Sequence, residues 1–355
     1  MIIYGGEWDL LCAHLRQHAP HVDRFVLVEA DCTHSGEARE TNLERRRDEL
    51  PVGDAELRII TLRQLDGADV ARPMARGGRQ RNAGYMGVAD LPADTIVLVA
   101  DVDELLAPAT FDRLRDELES PVRLRLDVRY QFLDRRAPGW PCCEQHVPVE
   151  LRRAPPATTD FAQPALLAAR LGDLRPMGPQ SPDGLRRRPK RRSDWTAGWH
   201  LTGIDPSVRQ GRKEVIGAHA MTGRIVDPEH MARCARAGVH HRGWWYVVPA
   251  ELPPELQRIA DAIPGSCAPA PLPDARRRRA LRAWAEARQW ERLPDRLVAC
   301  IDRRFDDPGV VTTATAALAD RWMVGRARRR DERETSRVPT TTTERITNDA
   351  DLHDH

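Results

Sequence analysis

Asp101, Asp103 and Glu104 stand directly after an apolar run, Ile96-Val-Leu-Val-Ala100. Residues two apart in an extended segment leave the chain on the same side. Asp101 and Asp103 would then hold two negative charges close together, which repel unless a cation lies between them. A divalent ion with hard oxygen ligands is the simplest such cation. A metal bridging these carboxylates to a diphosphate is what sugar transfer from a nucleotide donor needs, because it neutralises charge developing on the leaving group. The plainer role for the same acids is to cap a following helix, where negative charge is favourable. Pro108 marks such a helix start a few residues on.

These acids need a scaffold, and the flanking sequence supplies one. Ile96 to Ala100 is rich in β-branched residues and follows a Pro-Ala-Asp turn, so it reads as a strand buried on both faces of a parallel sheet. Ligands of open α/β sheets bind at the carboxyl edge of such strands. Upstream, Trp8, Leu10, Leu11 and Leu15 predict a helix over 7–18, ended by Pro20. Phe25 to Ala30 predicts a strand finishing at Glu29 and Asp31, before the polar turn Thr33-His34-Ser35-Gly36. A charged helix is expected from Asn42 to Leu50, a strand from Leu57 to Leu62, and a helix opening at Gly77 to Asn82 and running towards Val88. Strands alternating with helices in this way predict an α/β fold with a mainly parallel sheet and covering helices.

Downstream the pattern loosens. A helix is expected from Phe111 to Leu118 and a half-exposed strand from Val122 to Tyr130, where apolar and charged residues alternate. Many prolines between Pro138 and Pro189 predict surface loops around a short helix, Pro164 to Leu171. The basic cluster Arg186 to Arg192 reads as a solvated loop in preference to a phosphate site. Beyond Pro273, helices are expected over Arg276–Trp290, Pro294–Phe305 and Val310–Arg330. The polar tail from Asp331, with threonines at 340–343 and a final acidic stretch, has the composition of a disordered segment.

Bulk properties narrow the function. In 355 residues, 55 Lys and Arg face 53 Asp and Glu, a formal charge of +2 that argues against a nucleic-acid or membrane-surface partner. The basic runs at Arg186–Arg192, Arg276–Arg279 and Arg326–Arg330 lack interleaved aromatics, so nucleic acid is not the expected ligand. The 7 cysteines contain no CxxC pair, only the adjacent Cys142-Cys143, which indicates neither a zinc site nor a disulfide framework. A reduced, cytoplasmic setting is expected, with no membrane span and no signal peptide at the start.

An ordered series of segments then carries a resemblance. Glu7-Trp-Asp-Leu-Leu, Phe25-Val-Leu-Val-Glu-Ala-Asp-Cys-Thr-His-Ser-Gly, Arg79-Gln-Arg-Asn, Asp101-Val-Asp-Glu, Gly198-Trp-His-Leu, Arg212-Lys with His219, and Gly243-Trp-Trp before Pro253-Pro254 together resemble glycosyltransferase family 17. That family contains β-1,4-mannosyl-glycoprotein β-1,4-N-acetylglucosaminyltransferase. The resemblance implies a GT-A fold over residues 1–265, followed by a helical appendage over 274–330 and a disordered tail over 331–355. It implies a UDP-sugar donor (UDP-GlcNAc in the known activity), a glycan-type acceptor and inverting transfer. Two departures stand out: the first strand before Glu7 is shorter than usual, so the start is expected to lack residues, and Ala220-Met221 follows His219 where the family often has an acid.

Chemistry suggests a role for each candidate. Asp103 is the preferred metal ligand, with Asp101 contacting the ribose or the metal through water and Glu104 helping either. His219 is a further metal ligand or phosphate contact, because imidazole suits Mn²⁺-type sites; Mn²⁺ or Mg²⁺ is the expected ion. Arg212 and Lys213 face the diphosphate, while Arg79, Arg81 and Asn82 hold the nucleotide and Glu29, Asp31 and His34 the uridine. Trp199 and His200 form a platform under a sugar ring. The base that deprotonates the acceptor hydroxyl stays open among Asp194, Asp205 and Glu214. A nucleotidyltransferase with the same acidic site, or a non-catalytic binder of anionic ligands, are the alternative functions; no Gly-rich phosphate loop beside the first strand supports the former.

Overall fold

The apolar runs become strands covered on both sides. In the computed structural model, β1 (Ile2–Ile3), β2 (Arg24–Ala30), β3 (Glu56–Leu62) and β4 (Ile96–Asp101) lie side by side in the order β3-β2-β1-β4, all parallel. Alternate residues of β2 serve opposite faces. Phe25 and Leu27 pack with Leu11 and Leu15 of helix α1 (Trp8–His18). Val26 and Val28 pack with Val97 and Val99 of β4, next to Ala83 of helix α2 (Pro73–Ala83) and Val88. Each side chain buried in this way contributes roughly 1.5–3 kcal/mol, and two covered faces explain why these strands read as continuous apolar runs.

The structure describes residues 1–33, 36, 38–63, 73–137, 162–176, 181–187, 191–204, 234–239, 247–273 and 278. Met1–Glu291 is one compact unit, and Arg292–His355 is a second that lies outside the described residues. The expected helices after Pro273 and the polar tail fall outside them too, as do His34, Asp205, Arg212, Lys213, Glu214 and His219.

Beyond β4 the sheet stops being parallel, which corrects the mainly parallel expectation to a mixed α/β architecture. Strand β8 (Ala162–Arg170) runs antiparallel to β4, with Ile96 opposite Arg170 and Val99 opposite Leu167. Strand β6 (Val122–Tyr130) is antiparallel to β8, and the two-residue strands β7 (Arg135–Arg136) and β10 (Val248–Pro249) extend the sheet past it. Strand β9 (Arg192–Thr202) pairs parallel with β6 and antiparallel with the short β5 (Glu104–Leu106). Helix α3 (Pro108–Glu117) covers β6 and β8 through Phe111 and Leu114. Helix α5 (Pro254–Ala262) sets Leu256 and Ile259 against Leu10 and Ala13 of α1.

Three local expectations change, each for a physical reason. The segment expected as a helix from Pro164 to Leu171 is β8. Helix propensity differs by only tenths of a kcal/mol per residue, and it yields to a slot between β4 and β6 where residues from Ala165 to Ala169 are all buried. The segment expected as a helix from Asn42 to Leu50 is a run of turns ending in a 3₁₀ turn, Arg47–Glu49. There the buried Glu29 carboxylate accepts the Asn42 and Leu43 N–H groups at 3.0 and 3.1 Å and fixes the path of the turns. Strand β6 is interior, not half exposed: Asp127 and Arg129 are buried, and Arg129 and Arg136 both donate to Asp127, at 3.1 and 2.8 Å.

Helix α1 also buries two histidines one turn apart, His14 and His18. Burial disfavours the charged ring; it pulls His14 down to about 4 and His18 well below its ordinary value. Both pKa values are lower in the folded than in the unfolded chain, so the folded state binds fewer protons. Their contribution is therefore complete above about pH 6.5 and is lost as the pH falls towards 4, by about 1.4 kcal/mol per pH unit for each ring. Thermal melts should show the protein losing stability steeply from pH 6.5 to 4. His14→Asn, which cannot titrate, should flatten that drop; an unchanged slope would count against the assignment.

Candidate active site at the end of the fourth strand

The sheet delivers Asp101 as the last residue of β4, level with Ile3 of β1. The chain does not stay extended after it. Val102 and Asp103 form a turn, and β5 begins at Glu104. The two aspartates therefore sit on either side of a turn, in place of the straight extended segment expected, and their charges still act on one another. The helix-capping role is also set aside, because β5 intervenes before α3, whose N-cap is Ala107 with no side-chain cap.

Asp101 turns towards arginines. Arg81 Nη2, from the last turn of α2, donates to both of its carboxylate oxygens at 2.9 Å. Arg186 Nη2, from α4 (Pro182–Arg187), donates to one of them at 3.0 Å. Arg186 also grips Glu104, at 2.6 Å to Oε1 and 2.9 Å to Oε2. Glu104 Oε2 in turn accepts the Asp101 N–H at 2.8 Å. Arg81 reaches onward to Asp183 at 3.1 Å, and Asn82 accepts the Asp183 N–H at 3.0 Å, tying α4 to α2. The positive charge that the acid pair requires is thus supplied, at Asp101, by two guanidiniums. Burial pushes the Asp101 carboxyl up, but the charges of Arg186 and Arg81 outweigh it and hold the group down at about 2. For Arg186 burial works against the charge, yet Asp101 and Glu104 keep it above its ordinary value.

Asp103 is only 5% exposed. Its Oδ2 stands 3.6 Å from His200 Nε2, too far for a hydrogen bond. Two ligands each about 2.1 Å from one ion stand about 3.0–3.6 Å apart, so the spacing suits a shared cation. The β5–β9 ladder sets this geometry by placing Glu104 opposite His200, Leu105 opposite Trp199 and Leu106 opposite Gly198. At Gly198 the strands come so close that a Cβ would lie 2.0 Å from the Leu105 carbonyl oxygen.

The remaining candidates divide. Glu29 and Asp31 lie on the same carboxyl edge, two strand spacings or about 10 Å from β4; Glu29 is committed to the Asn42–Leu43 backbone, and the Asp31 backbone pairs with Leu62 and Arg39. Arg79 is exposed on α2, and the run Arg79 to Asn82 ends a helix instead of opening one. Trp199 is buried in the core with Leu10, Leu105, Leu201 and Ile259, so its ring serves packing and not a sugar platform. Asp194 is exposed six residues before His200 on β9, beyond an irregular stretch of that strand. Arg186 is the residue that sequence reasoning misplaced: it is no solvated loop residue but the most enclosed cation of the site, its side chain 11% exposed. Its only sequence signal was the uncompensated acidity of Asp101-Val-Asp-Glu.

Among the described residues no three His, Cys, Asp or Glu side chains stand together as a metal cage. A metal carried by a diphosphate needs only one or two protein ligands, the phosphates supplying others. The Asp103–His200 pair, a hard carboxylate with an imidazole, fits such an ion.

Residues 1–134 match the model of glycosyltransferase family 17. The match runs from β1 to just past β6 and contains Arg81, Asp101, Asp103 and Glu104, so over this segment the chain is similar to a glycosyltransferase family. Arg186 and His200 lie beyond it. No curated protein and no solved structure matches the chain. No helix among the described residues is long and apolar enough to cross a membrane.

Two substitutions test this construction. Arg186→Met leaves the buried Glu104 carboxylate without its cation and should cost roughly 3–5 kcal/mol; adding Glu104→Gln should recover part of the loss in a denaturant double-mutant cycle. Gly198→Ala should destabilise by about 3 kcal/mol, because the backbone contact at Leu105 must open. A loss below about 0.5 kcal/mol in urea unfolding would contradict the close approach.

Proposed function

We propose that this chain is a metal-dependent inverting glycosyltransferase that moves a sugar, GlcNAc by its family resemblance, from a UDP-sugar to a hydroxyl acceptor on a glycan. The observation that carries the reading is the cluster of acids at the carboxyl end of β4, inside the family-matched segment: Asp101 bonds Arg81 and Arg186, while Asp103 Oδ2 stands 3.6 Å from His200 Nε2. Asp103 and His200 would hold Mn²⁺ or Mg²⁺, and the bound ion would supply charge neutralisation at the diphosphate.

The chain's own groups have separate tasks in this reading. Arg81 and Arg186 keep Asp101 ionised and fixed in orientation. A carboxylate has about four acceptor positions, so Asp101 keeps capacity for a ribose hydroxyl. Glu104 is a positioning group, since both of its oxygens are committed to Arg186 and the Asp101 N–H. His219, Arg212 and Lys213 are proposed as further contacts to the ion and the diphosphate, and Asp205 or Glu214 as the base. Residues 1–265 would make the catalytic GT-A domain. A reduced, cytoplasmic setting belongs to the same reading.

Calorimetry of UDP binding is the test. Affinity should fall at least about 10-fold when Mn²⁺ is replaced by EDTA, which corresponds to about 1.4 kcal/mol. Asp103→Asn should erase the difference while leaving the fold intact. Equal affinity with and without the ion in the unaltered protein would overturn the metal-dependent mechanism.

A further inference from the structure

Strand β5 is three residues long, and one of its edges is taken by β9. Side chains of α1 meet the backbone around it. His14 Nδ1 donates to the Val102 carbonyl at 2.9 Å, and Gln17 Nε2 donates to the Leu106 carbonyl at 2.8 Å. The Leu106 N–H donates to His18 Nε2 at 3.0 Å. A carbonyl can only accept and an N–H can only donate, so these bonds set both rings: His14 carries its proton on Nδ1, and His18 keeps Nε2 bare. Two turns of one helix thus grip the backbone immediately before Asp103 and at the far end of β5.

We propose that His14, Gln17 and His18 are positioning residues that hold the acidic turn in its cation-binding shape. The inference rests on the metal–diphosphate reading of Asp103 and His200. The turn needs such a hold. Asp101 and Asp103 repel each other across a single residue, and the Asp103 carbonyl has one backbone anchor on the far side, the Leu201 N–H at 2.7 Å. A site of this kind works only when its ligands stay within about 0.5 Å of the productive geometry. β9 fixes the turn from one side and α1 from the other, so releasing α1 lets Asp103 drift from His200 without unfolding the sheet. The grip works through bonds of defined polarity, which gives each residue its own rescue. A glutamine at 18 offers a carbonyl oxygen where the imidazole nitrogen accepted, and an asparagine at 14 offers an N–H where Nδ1 donated.

The experiment uses the full chain and two readouts. Hydrogen exchange of peptides covering 101–106 reports the grip without any ligand, and UDP calorimetry with Mn²⁺ and with EDTA reports its consequence. In His18→Leu, exchange over 101–106 should quicken at least about 10-fold while β2 and β3 keep wild-type protection. UDP affinity should weaken by about 10-fold or more in Mn²⁺ but not in EDTA. His18→Gln should restore both. Gln17→Leu changes a half-buried residue and provides the same pair of measurements should His18→Leu fail to fold. Wild-type exchange and wild-type Mn²⁺-dependent affinity in a folded leucine variant would overturn the proposal. If the unaltered protein bound UDP equally in EDTA, the metal reading would fall, and the exchange readout alone would then decide whether α1 holds the turn.

Discussion

The arrangement depends on one partly buried ion network, in which Arg186 bonds both Asp101 and Glu104 while Arg81 also bonds Asp101. Carboxylates enclosed at a strand end cannot stay charged without partners, since the desolvation cost of a lone ion exceeds what a fold can absorb. The planar fork of arginine meets a carboxylate with two parallel bonds, which a lysine cannot do. α2 and α4 must therefore sit over the end of β4, because each contributes one of the two forks. Asn82 and Asp183 fasten these helices to each other.

The mixed sheet follows from the same requirement. Its parallel half, β3-β2-β1-β4, creates the carboxyl edge at which Asp101 emerges. Its antiparallel half brings the distant chain back: β8 closes the exposed side of β4, β6 pairs with β8, and β9 lies along both β6 and β5. His200 reaches Asp103 only because β9 runs along β5 in one register, and Gly198 permits that register by having no Cβ to strike Leu105. A one-residue slip would turn Trp199 towards the acids and His200 into the core, since successive strand residues face opposite sides.

Helix α1 links packing to chemistry. Its apolar residues Leu11 and Leu15 cover β2, and its polar residues His14, Gln17 and His18 meet the acidic turn. His18 can accept the Leu106 N–H only as a neutral ring, and burial disfavours the charged form of both histidines. The same burial makes the protein acid-sensitive, so the geometry of the turn and the pH range of stability have one physical origin.

By itself the sequence determined what local pattern controls. The β-branched runs that became β2, β3 and β4, the 3.6-residue period of α1 and the helix after Pro108 were all readable, as was the arrival of Asp101, Asp103 and Glu104 at a strand end, because side-chain periodicity and turn residues act over a few positions. Tertiary structure decided the rest. It made 162–170 a strand, because pairing with β4 and β6 outweighs the helix preference of alanine. It buried Trp199 and took Arg186 out of an apparently solvated basic run to neutralise acids 82 and 85 positions earlier. It gave Asp101 and Asp103 different partners. Electrostatic complementarity is met by whichever charges the fold brings within a few ångströms, and sequence separation carries no record of that distance.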